Sequence, residues 1–304
     1  MKHMVKLISP AKVNLVLAVG NRREDGFHEV ATIMHALSLH DTLTLRRFDE
    51  EDETGFVVRL TCETSGDIAP LEVSPQDNIV YKAIVALAQA LGRTCSETIE
   101  VSLSKVIPAE AGLGGGSSNA AAALVGAATL WGIDPKDAVV SDVAASLGAD
   151  VSFFLHGGCA YLTGRGDVYE GSLEPRKGFV LLVRPDAGIS TTKAYASFDE
   201  QPYLPEEDYL ASLSSCKQAI DIKPWNNLEP AACSLVPEVD QVIQWARQMA
   251  QAEHVLLCGS GSTVCLICES YDAACECSVE AHKQGWWSRV TSFAPLGAAV
   301  VKAM

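Results

Sequence analysis

The chain has 304 residues, a length that suits two domains of ordinary size. Its 48% of hydrophobic and 20% of charged residues are typical of a globular protein with a large core. A net charge of −15 disfavours nucleic acid and anionic membranes as partners, because both attract basic surfaces. An anionic ligand would therefore have to meet local cations, backbone N–H groups or a metal ion.

The chain is expected to be cytoplasmic. No stretch reaches the ~18 to 20 consecutive apolar residues that a membrane-spanning helix needs. Lys12 and Asn14 interrupt the apolar run near the N-terminus, and no signal-peptidase site follows it. The ten cysteines are expected to be buried free thiols. Cys265 and Cys268 lie in a predicted strand, where residues three apart point to opposite faces and do not share a metal ion.

The first third of the chain predicts strands and turns. A strand over residues 6–19, broken at Pro10, precedes the charged turn "NRREDG" and the run "FHEVATIMHALSL". Alternating residues in "DTLTLRRF" and "VVRLTCE" predict two more strands. The acidic segment between them, residues 49–55, is predicted to be a solvated hairpin loop.

The middle third predicts helices around a glycine-rich loop. Residues 77–92 have an acidic cap, apolar residues at helical spacing and a terminal glycine. The strand "TIEVSLSKVIP" leads into the loop, and a helix follows over residues 117–131. A second helix, at about residues 135–147, also ends at a glycine.

Strands predominate again from Cys159 onward, beginning with "CAYLTGRGDVYE" and "GFVLLVRP". Helices are predicted around residues 206–220 and 238–252. Two strands joined by a glycine turn, another helix and a last strand complete the chain. The pattern predicts an α+β protein with a domain boundary near Gly157, dividing residues 1–157 from residues 158–304.

The loop "AGLGGGSSNAAAAL" has the composition of a phosphate site. A helix N-terminus offers unpaired N–H groups and a partial positive charge, so it binds anions without a side-chain cation. The loop matches neither GxxxxGK[ST] nor GxGxxG. A tight turn capped by Ser117 or Ser118 is the structural alternative. Three consecutive glycines favour close approach of a ligand to the backbone.

Four segments together resemble the superfamily of galactokinase, homoserine kinase, mevalonate kinase and phosphomevalonate kinase. They occur in the family's order from Pro10 to about Ile267 and read "SPAKVNLVLAVGNRREDGFHEV", "PAEAGLGGGSSNAAAAL", "SLGADVSFFLHGGCAYLTGRGD" and "CGSGSTVCLI". The resemblance implies a two-domain small-molecule kinase fold. Its N-terminal part would be like ribosomal protein S5 domain 2, and its C-terminal part would be a ferredoxin-like α/β sandwich.

The resemblance also implies ATP as phosphoryl donor, with Mg²⁺ carried by the nucleotide and helped by Ser117 or Ser118. Lys12 and Asp150 match the family's catalytic pair, in which the aspartate accepts the proton of the attacking hydroxyl and the lysine keeps it ionised. Residues 1–157 would then bind ATP, and residues 158–304 would lie on the substrate side. The implied phosphate-binding residues are Pro108, Ala109, Glu110, Ala111, Gly112, Leu113, Gly114, Gly115, Gly116, Ser117 and Ser118.

The segment "DGFHE" resembles the members of the superfamily that act on a cytidine diphosphate substrate. The implied acceptor is 4-diphosphocytidyl-2-C-methyl-D-erythritol, phosphorylated on its 2-hydroxyl during non-mevalonate isoprenoid biosynthesis. Phe27 and Tyr195 would stack on the cytosine, His28 would pair with its polar edge, and Asn14 would contact the acceptor. The resemblance leaves a monomer and a weak homodimer open.

Each residue also has an ordinary structural interpretation. Lys12 fits the solvent face of an edge strand, Asp150 fits a helix cap, Phe27 fits the core and His28 fits a hydrogen-bonded strand. Glu110 either points to solvent or assists the metal. The alternative functions are homoserine or mevalonate kinase, which lack "DGFHE", a catalytically inactive ligand-sensing relative, and a purely structural protein.

Overall fold

The computed structural model describes residues 3–49, 55–64 and 67–304. Within these residues, eight strands form a first sheet, with the order β12–β1–β2–β4–β3 along its main path. Beside this path, β5 pairs with β2, β6 pairs with β5, and β8 pairs with β1. The strands are β1 (Met4–Arg22), β2 (His28–Asp49), β3 (Phe56–Thr64), β4 (Glu97–Lys105), β5 (Cys159–Thr163), β6 (Val168–Leu173), β8 (Trp225–Asn226) and β12 (Ala299–Ala303).

Four helices form one layer on the first sheet. They are α1 (Ile79–Ala90), α2 (Gly115–Trp131), α3 (Ala138–Leu147) and α4 (Ala149–His156). The alanine-rich α2 packs against β1, β2 and the other three helices. Because α2 is apolar on nearly all sides, it lies inside this layer with its N-terminus next to the glycine loop. No helix in the described part of the chain has both the length and the apolar character needed to span a bilayer.

The second sheet is antiparallel and has the order β11–β7–β10–β9 in the described residues. Its strands are β7 (Phe179–Arg184), β9 (Ala252–Leu257), β10 (Val264–Cys268) and β11 (Trp287–Ser292). Between β7 and β9 lie α5 (Thr191–Glu200), α6 (Glu207–Ser215), a short 3₁₀ helix (Ala219–Asp221), α7 (Glu229–Leu235) and α8 (Pro237–Arg247). With α8 and α9 (Tyr271–Lys283) on one face, this part has the ferredoxin-like strand–helix–strand pattern.

The two sheets share one core, and each has a second core beneath its helices. Val13 and Leu15 of β1 meet Leu182 of β7 and Ile267 of β10 in the core between the sheets. The helices of the first sheet cover one outer core, and α8 and α9 cover the other. The molecule therefore has four layers, in the order helices, sheet, sheet, helices.

The cysteines confirm one prediction and correct another. Cys265 belongs to the core between the sheets and Cys268 to the core beneath α8 and α9, so the two thiols lie on opposite faces of β10. The cysteines are free. Burial is not general, because Cys62 and Cys95 are exposed. Those two residues lie in β3 and in the bend before β4.

The structure differs from the predicted elements at the start of the chain. β1 continues through Pro10, with only a shift in its register to β2 beyond that residue. The acidic residues 50–54 lie outside the described residues. The flanking strands do not form the predicted hairpin, because β4 lies between β2 and β3 and pairs with both. β3 runs parallel to β4, a pairing that needs the long connection through α1.

The sheets change along the chain between β6 and β7. β5 and β6 follow Gly157 in sequence, yet they extend the first sheet by pairing with β2. β12, at the end of the chain, also pairs with β1 of the first sheet. Because strands from both sides of Gly157 form this sheet, the predicted domain boundary near Gly157 stays a prediction.

His35 makes stability depend on pH. Burial between the sheets, against Phe293, and to a smaller extent the charge of Arg176 lower the pKa of His35 from 6.5 to about 4. The unfolded chain therefore takes up a proton near pH 6.5, while the folded chain takes it up only near pH 4. Acid then favours unfolding, and the free energy of unfolding should fall by about 3 kcal/mol between pH 6.5 and pH 4.

Urea unfolding at several pH values measures this effect. The His35→Gln variant should show a smaller loss over that interval. The matched variant His40→Gln changes an exposed histidine on the same strand and should keep the full loss. Equal pH slopes in all three proteins would contradict the assignment to His35.

Candidate active site

The glycine loop connects β4 to α2, and α2 begins at Gly115 rather than at Ser117. Gly114 precedes the helix with a left-handed φ of 68°, and no side chain caps the helix. The backbone N–H groups of the first helical turn are therefore open to an anion. The predicted serine cap is wrong, because the hydroxyl of Ser118 is buried and accepts a hydrogen bond of 2.9 Å from Ser9.

A cavity of about 380 Å³ opens at this end of α2. Residues 108–117 form one wall, Lys105 and Asn119 lie at its base, and Leu71, Val73 and residues 77–79 form the opposite wall. Its volume lies in the range of ligand pockets in proteins. The glycine loop on one wall and Leu71, Val73 and Ile79 on the other suit a ligand with a phosphate chain and an apolar part.

Close packing holds the loop against the second half of the chain. A Cβ atom on Gly112 would overlap the carbonyl oxygen of Cys258, and Gly112 has a φ of 75°. The backbone N–H of Thr263 donates to the carbonyl of Ala111 over 3.3 Å. Glycine at position 112 is thus required by both space and backbone conformation.

Lys12 and Asp150, which the resemblance pairs, lie together in the structure. Strand alternation places Lys12 and Asn14 on the face of β1 opposite Val13. The Lys12 ammonium lies 2.7 Å from Asn14 Oδ1 and 3.5 Å from Asp150 Oδ2. The Lys12 side chain is only 5% exposed, against 32% for Asp150, so the carboxylate is the more accessible partner.

The ordinary interpretations of these two residues are wrong. β1 is an interior strand, paired with β2 on one side and with β12 and β8 on the other, and Lys12 is buried. Gly148 precedes α4 without a capping side chain, and Asp150 lies in the first turn of that helix. A buried ammonium and a half-exposed carboxylate at a helix N-terminus are typical of a reactive site rather than of surface packing.

A second cavity, of about 170 Å³, surrounds this pair. Gly112 and Gly114 line both cavities, so the glycine loop is their common wall. A Cβ on Gly114 would lie 2.9 Å from Lys12 Cγ, which shows how closely the lysine approaches the loop. The second cavity is lined by Lys12, Asn14, Leu17, Val30, Thr32, Met34, Gly112, Gly114, Asp150, Arg165, Gly166, Thr191, Tyr195, Gly259 and Ser260.

Asn14 is held by hydrogen bonds to two neighbours. Its Oδ1 accepts from Lys12, and its Nδ2 donates to Thr32 Oγ1 over 2.9 Å. The Thr32 hydroxyl in turn donates to the carbonyl of Val16. The chain of hydrogen bonds orients the Asn14 amide and holds the Lys12 ammonium toward Asp150.

The three predicted base-binding residues occupy different surroundings. Phe27 is 54% exposed, so it is not a core residue, and the guanidinium of Arg165 lies 5.0 Å from its ring centre. Tyr195 of α5 lines the second cavity. The His28 ring is 5.1 Å from the Tyr195 ring, and His28 Nε2 lies 2.6 Å from Asp199 Oδ1.

Tyr195 keeps its phenolic proton in the physiological pH range. Burial and, to a smaller extent, the negative charge of Asp150 raise the pKa of Tyr195 from 10 to about 12. The phenol therefore remains a hydrogen-bond donor beside the carboxylate.

Glu110 has a left-handed φ of 51°, the one such value outside glycine in the described residues. Its side chain is exposed and approaches Gly188, where Oε2 would lie 3.3 Å from an added Cβ. The Arg184 guanidinium approaches the same glycine. Glu110 and Arg184 of β7 therefore lie near one another, beside Gly188. The Arg184 Nε also donates a hydrogen bond to Ser262 Oγ.

Sequence reasoning missed a second buried lysine beneath the glycine loop. Lys105 Nζ donates to Asp41 Oδ2 over 2.6 Å and to Asn119 Oδ1 over 3.0 Å. Asp41 Oδ1 accepts from the backbone N–H groups of residues 106 and 107, so the carboxylate holds the start of the loop. A lysine directly before a glycine-rich loop, in "VSLSKVIP", is the signal that could have identified it.

Two family models match the chain. The model for the N-terminal domain of GHMP kinases covers residues 78–158, and the model for their C-terminal domain covers residues 211–283. A 4-diphosphocytidyl-2-C-methyl-D-erythritol kinase of Nocardia farcinica is 36% identical over 90% of this chain and 87% of its own length. The enzyme of that name from Desulfitobacterium hafniense is 32% identical over 90% of each chain.

Solved structures give the same result. A crystal structure of 4-(cytidine 5'-diphospho)-2C-methyl-D-erythritol kinase superposes with a TM-score of 0.73 at 28% identity, covering 95% of this chain and 99% of the other. Homoserine kinase from Cytophaga hutchinsonii has a TM-score of 0.71 at 21% identity over 99% and 98% of the two chains, which shows a shared fold. The predicted two-domain α+β kinase fold is confirmed. The chain belongs to the GHMP kinases and, among them, to the family of 4-diphosphocytidyl-2-C-methyl-D-erythritol kinases.

Proposed function

We propose that the protein transfers the γ-phosphoryl group of ATP to the 2-hydroxyl of 4-diphosphocytidyl-2-C-methyl-D-erythritol, in non-mevalonate isoprenoid biosynthesis. One observation carries the proposal. Lys12 and Asp150 lie in a cavity that shares the glycine loop as a wall with a larger cavity at the N-terminus of α2. Two substrates can therefore meet at one cation and one carboxylate.

The larger cavity suits ATP. The N-terminal N–H groups of α2 and the partial positive charge of the helix would bind the phosphates. Lys105 adds an ammonium at the base of that cavity, and Asp41 and Asn119 hold it in position. The helix N-terminus supplies the partial positive charge here, and Lys105, whose own charge is balanced by Asp41, adds a hydrogen-bond donor.

Magnesium would enter with the nucleotide. No group of three or more metal-ligating side chains occurs among the described residues, so this part of the chain has no ready-made metal cage. That fits Mg²⁺, which keeps several waters and binds mainly to phosphate oxygens. Ser117 in the larger cavity and Asp150 in the second cavity are among the side-chain oxygen donors that line the two cavities. The metal would neutralise charge on the transferred phosphoryl group.

Asp150 would accept the proton of the attacking hydroxyl. Its carboxylate is fixed at the start of α4 and remains accessible from the second cavity. Lys12 would balance the charge of Asp150 and reach toward the γ-phosphoryl group across Gly114. Phosphoryl transfer depends mostly on such positioning and electrostatic stabilisation.

The second cavity would hold the acceptor. Asn14 would contact the sugar alcohol beside Lys12, and Tyr195 of the cavity wall would stack on the cytosine. Phe27, which does not line the cavity itself but contacts Arg165 of its wall, would stack on the base as well. His28, buried against Tyr195, would pair with the edge of the base. We further infer a cytoplasmic location, which the free cysteines support.

Replacing Asp150 by asparagine should remove the base while keeping the shape of the site. Turnover should fall by about 10²- to 10⁴-fold, and ATP should bind with nearly unchanged affinity by calorimetry. The matched variant Asp142→Asn changes an exposed carboxylate on α3 and should keep normal turnover. Near-normal turnover of Asp150→Asn would remove Asp150 from the base role.

Gly114→Ala should displace Lys12 from the loop. The added methyl group would lie 2.8 Å from the Phe154 ring and 2.9 Å from Lys12 Cγ. The control is Gly132→Ala at the other end of α2, where φ is 73° and the added methyl group meets open space. Both variants should lose about 1 kcal/mol of stability to backbone strain.

Only Gly114→Ala should lose turnover, by about tenfold or more. Thermal unfolding and steady-state kinetics of the two variants separate strain from displacement. Equal kinetic loss in both variants would show that Lys12 does not depend on the loop contact.

A substrate panel tests the function itself. ADP release should follow addition of the diphosphocytidyl substrate and should be at least about a hundredfold slower with homoserine or mevalonate, because these lack the cytosine that the aromatic residues would bind. Comparable release with either of those two alcohols would favour another kinase of the superfamily. Absence of turnover with all three would favour a ligand-sensing relative.

A further inference from the structure

The contact between His28 and Asp199 joins two residues that lie 171 positions apart in the chain. His28 begins β2, and Asp199 lies near the end of α5. The distance from His28 Nε2 to Asp199 Oδ1 is 2.6 Å, and the histidine side chain is only 6% exposed. A carboxylate only accepts hydrogen bonds, so Nε2 carries the proton in this pair.

The other oxygen of Asp199 has a separate neighbour. Asp199 Oδ2 lies 4.0 Å from the Arg22 guanidinium at the end of β1. Asp199 thus contacts Arg22 of β1 through Oδ2 and His28 of β2 through Oδ1, so it joins α5 to both of these paired strands. The His28 ring is held on its other sides by Tyr195 and Phe198, at 5.1 and 6.0 Å between ring centres.

The second ring nitrogen of His28, Nδ1, is free to bind a ligand. No hydrogen bond from a described residue reaches it, and it is not among the fully buried polar atoms that lack a partner. With the proton on Nε2, a neutral ring presents a lone pair at Nδ1 and acts there as an acceptor. This acceptor lies on a ring that packs against Tyr195, a wall of the second cavity.

We propose that Asp199 is a specificity-determining positioning residue, which holds His28 in the tautomer whose Nδ1 accepts a hydrogen bond from the exocyclic amine of cytosine. The inference rests on the proposed function, because it concerns the base of that substrate. Cytosine carries an amine donor where uracil carries a carbonyl acceptor. An acceptor at Nδ1 therefore binds cytosine and meets uracil with an unpaired, repulsive contact.

The test compares the diphosphocytidyl substrate with its uridine counterpart. The wild-type protein should prefer the cytidine compound in kcat/KM. In Asp199→Ala the histidine is no longer held in one tautomer, and the preference should fall about tenfold or more. The cytidine reaction should change mainly in KM. Asp199→Glu restores a carboxylate and should recover part of the preference.

The matched control is Glu200→Ala, which removes the neighbouring exposed carboxylate of the same helix. It should keep the wild-type preference. Equal loss of kcat/KM for both bases in Asp199→Ala would overturn the proposal, since a merely structural role lowers both reactions alike. An unchanged preference would overturn it as well.

Nitrogen NMR of the imidazole in the ligand-free protein separates this inference from the function on which it rests. The His28 nitrogen shifts should indicate a proton on Nε2 in the wild type and should move toward a tautomer average in Asp199→Ala. If the wild type phosphorylates neither nucleotide compound, the proposed function fails. Wild-type shifts that indicate a proton on Nδ1 overturn the positioning role, whatever the substrate.

Discussion

The contact between Lys12 and the glycine loop is the constraint on which the proposed chemistry depends. The backbone N–H of Lys12 donates to the carbonyl of Leu113 over 3.0 Å, and its side chain passes directly beside Gly114. A side chain at position 114 would occupy the space of Lys12 and Phe154. The absence of a Cβ therefore lets Lys12 of the first strand lie beside the N-terminus of α2, which begins 103 residues later at Gly115, in place of a lysine inside the loop.

Buried polar groups keep that arrangement rigid. Asp41, Lys105, Asn119, Ser9 and Ser118 form one hydrogen-bonded network beneath the loop, and all five are buried. Such a network is stable because each charged group has a partner of opposite charge or a backbone donor. It fixes the start of α2 and leaves Ser117, rather than Ser118, as the hydroxyl available to a ligand.

The second half of the chain completes the site from the opposite side. The turn after β9 packs on Gly112, and Gly259 and Ser260 of that turn line the second cavity together with Tyr195 of α5. Thr191 and Ser260 share a hydrogen bond of 2.9 Å, which joins α5 to the turn. The proposed base site thus combines the hairpin that contains Phe27 and His28 with a helix from beyond β7. In the proposed function, the helix N-terminus of α2 with Lys12 and Lys105 would bind the anionic substrates of this acidic protein.

Local sequence determined much of this protein. Alternation along β1 placed Lys12 and Asn14 on one face, and the glycine-rich segment marked the start of α2. β7, β9, β10, α6 and α8 were predicted, with both helices ending about five residues earlier than expected, whereas β11, α5 and α7 were not predicted. The predicted features depend on backbone preferences and periodicity over a few residues. Only the tertiary structure decided that β3 pairs with β4, that Ser118 bonds to Ser9, that Lys105 lies beneath the loop and that Asp199 holds His28. Those contacts follow from strand register and helix packing, which bring together residues far apart in the chain. Of these residues, only Lys105 has a local signal in the sequence, as the lysine directly before the glycine loop.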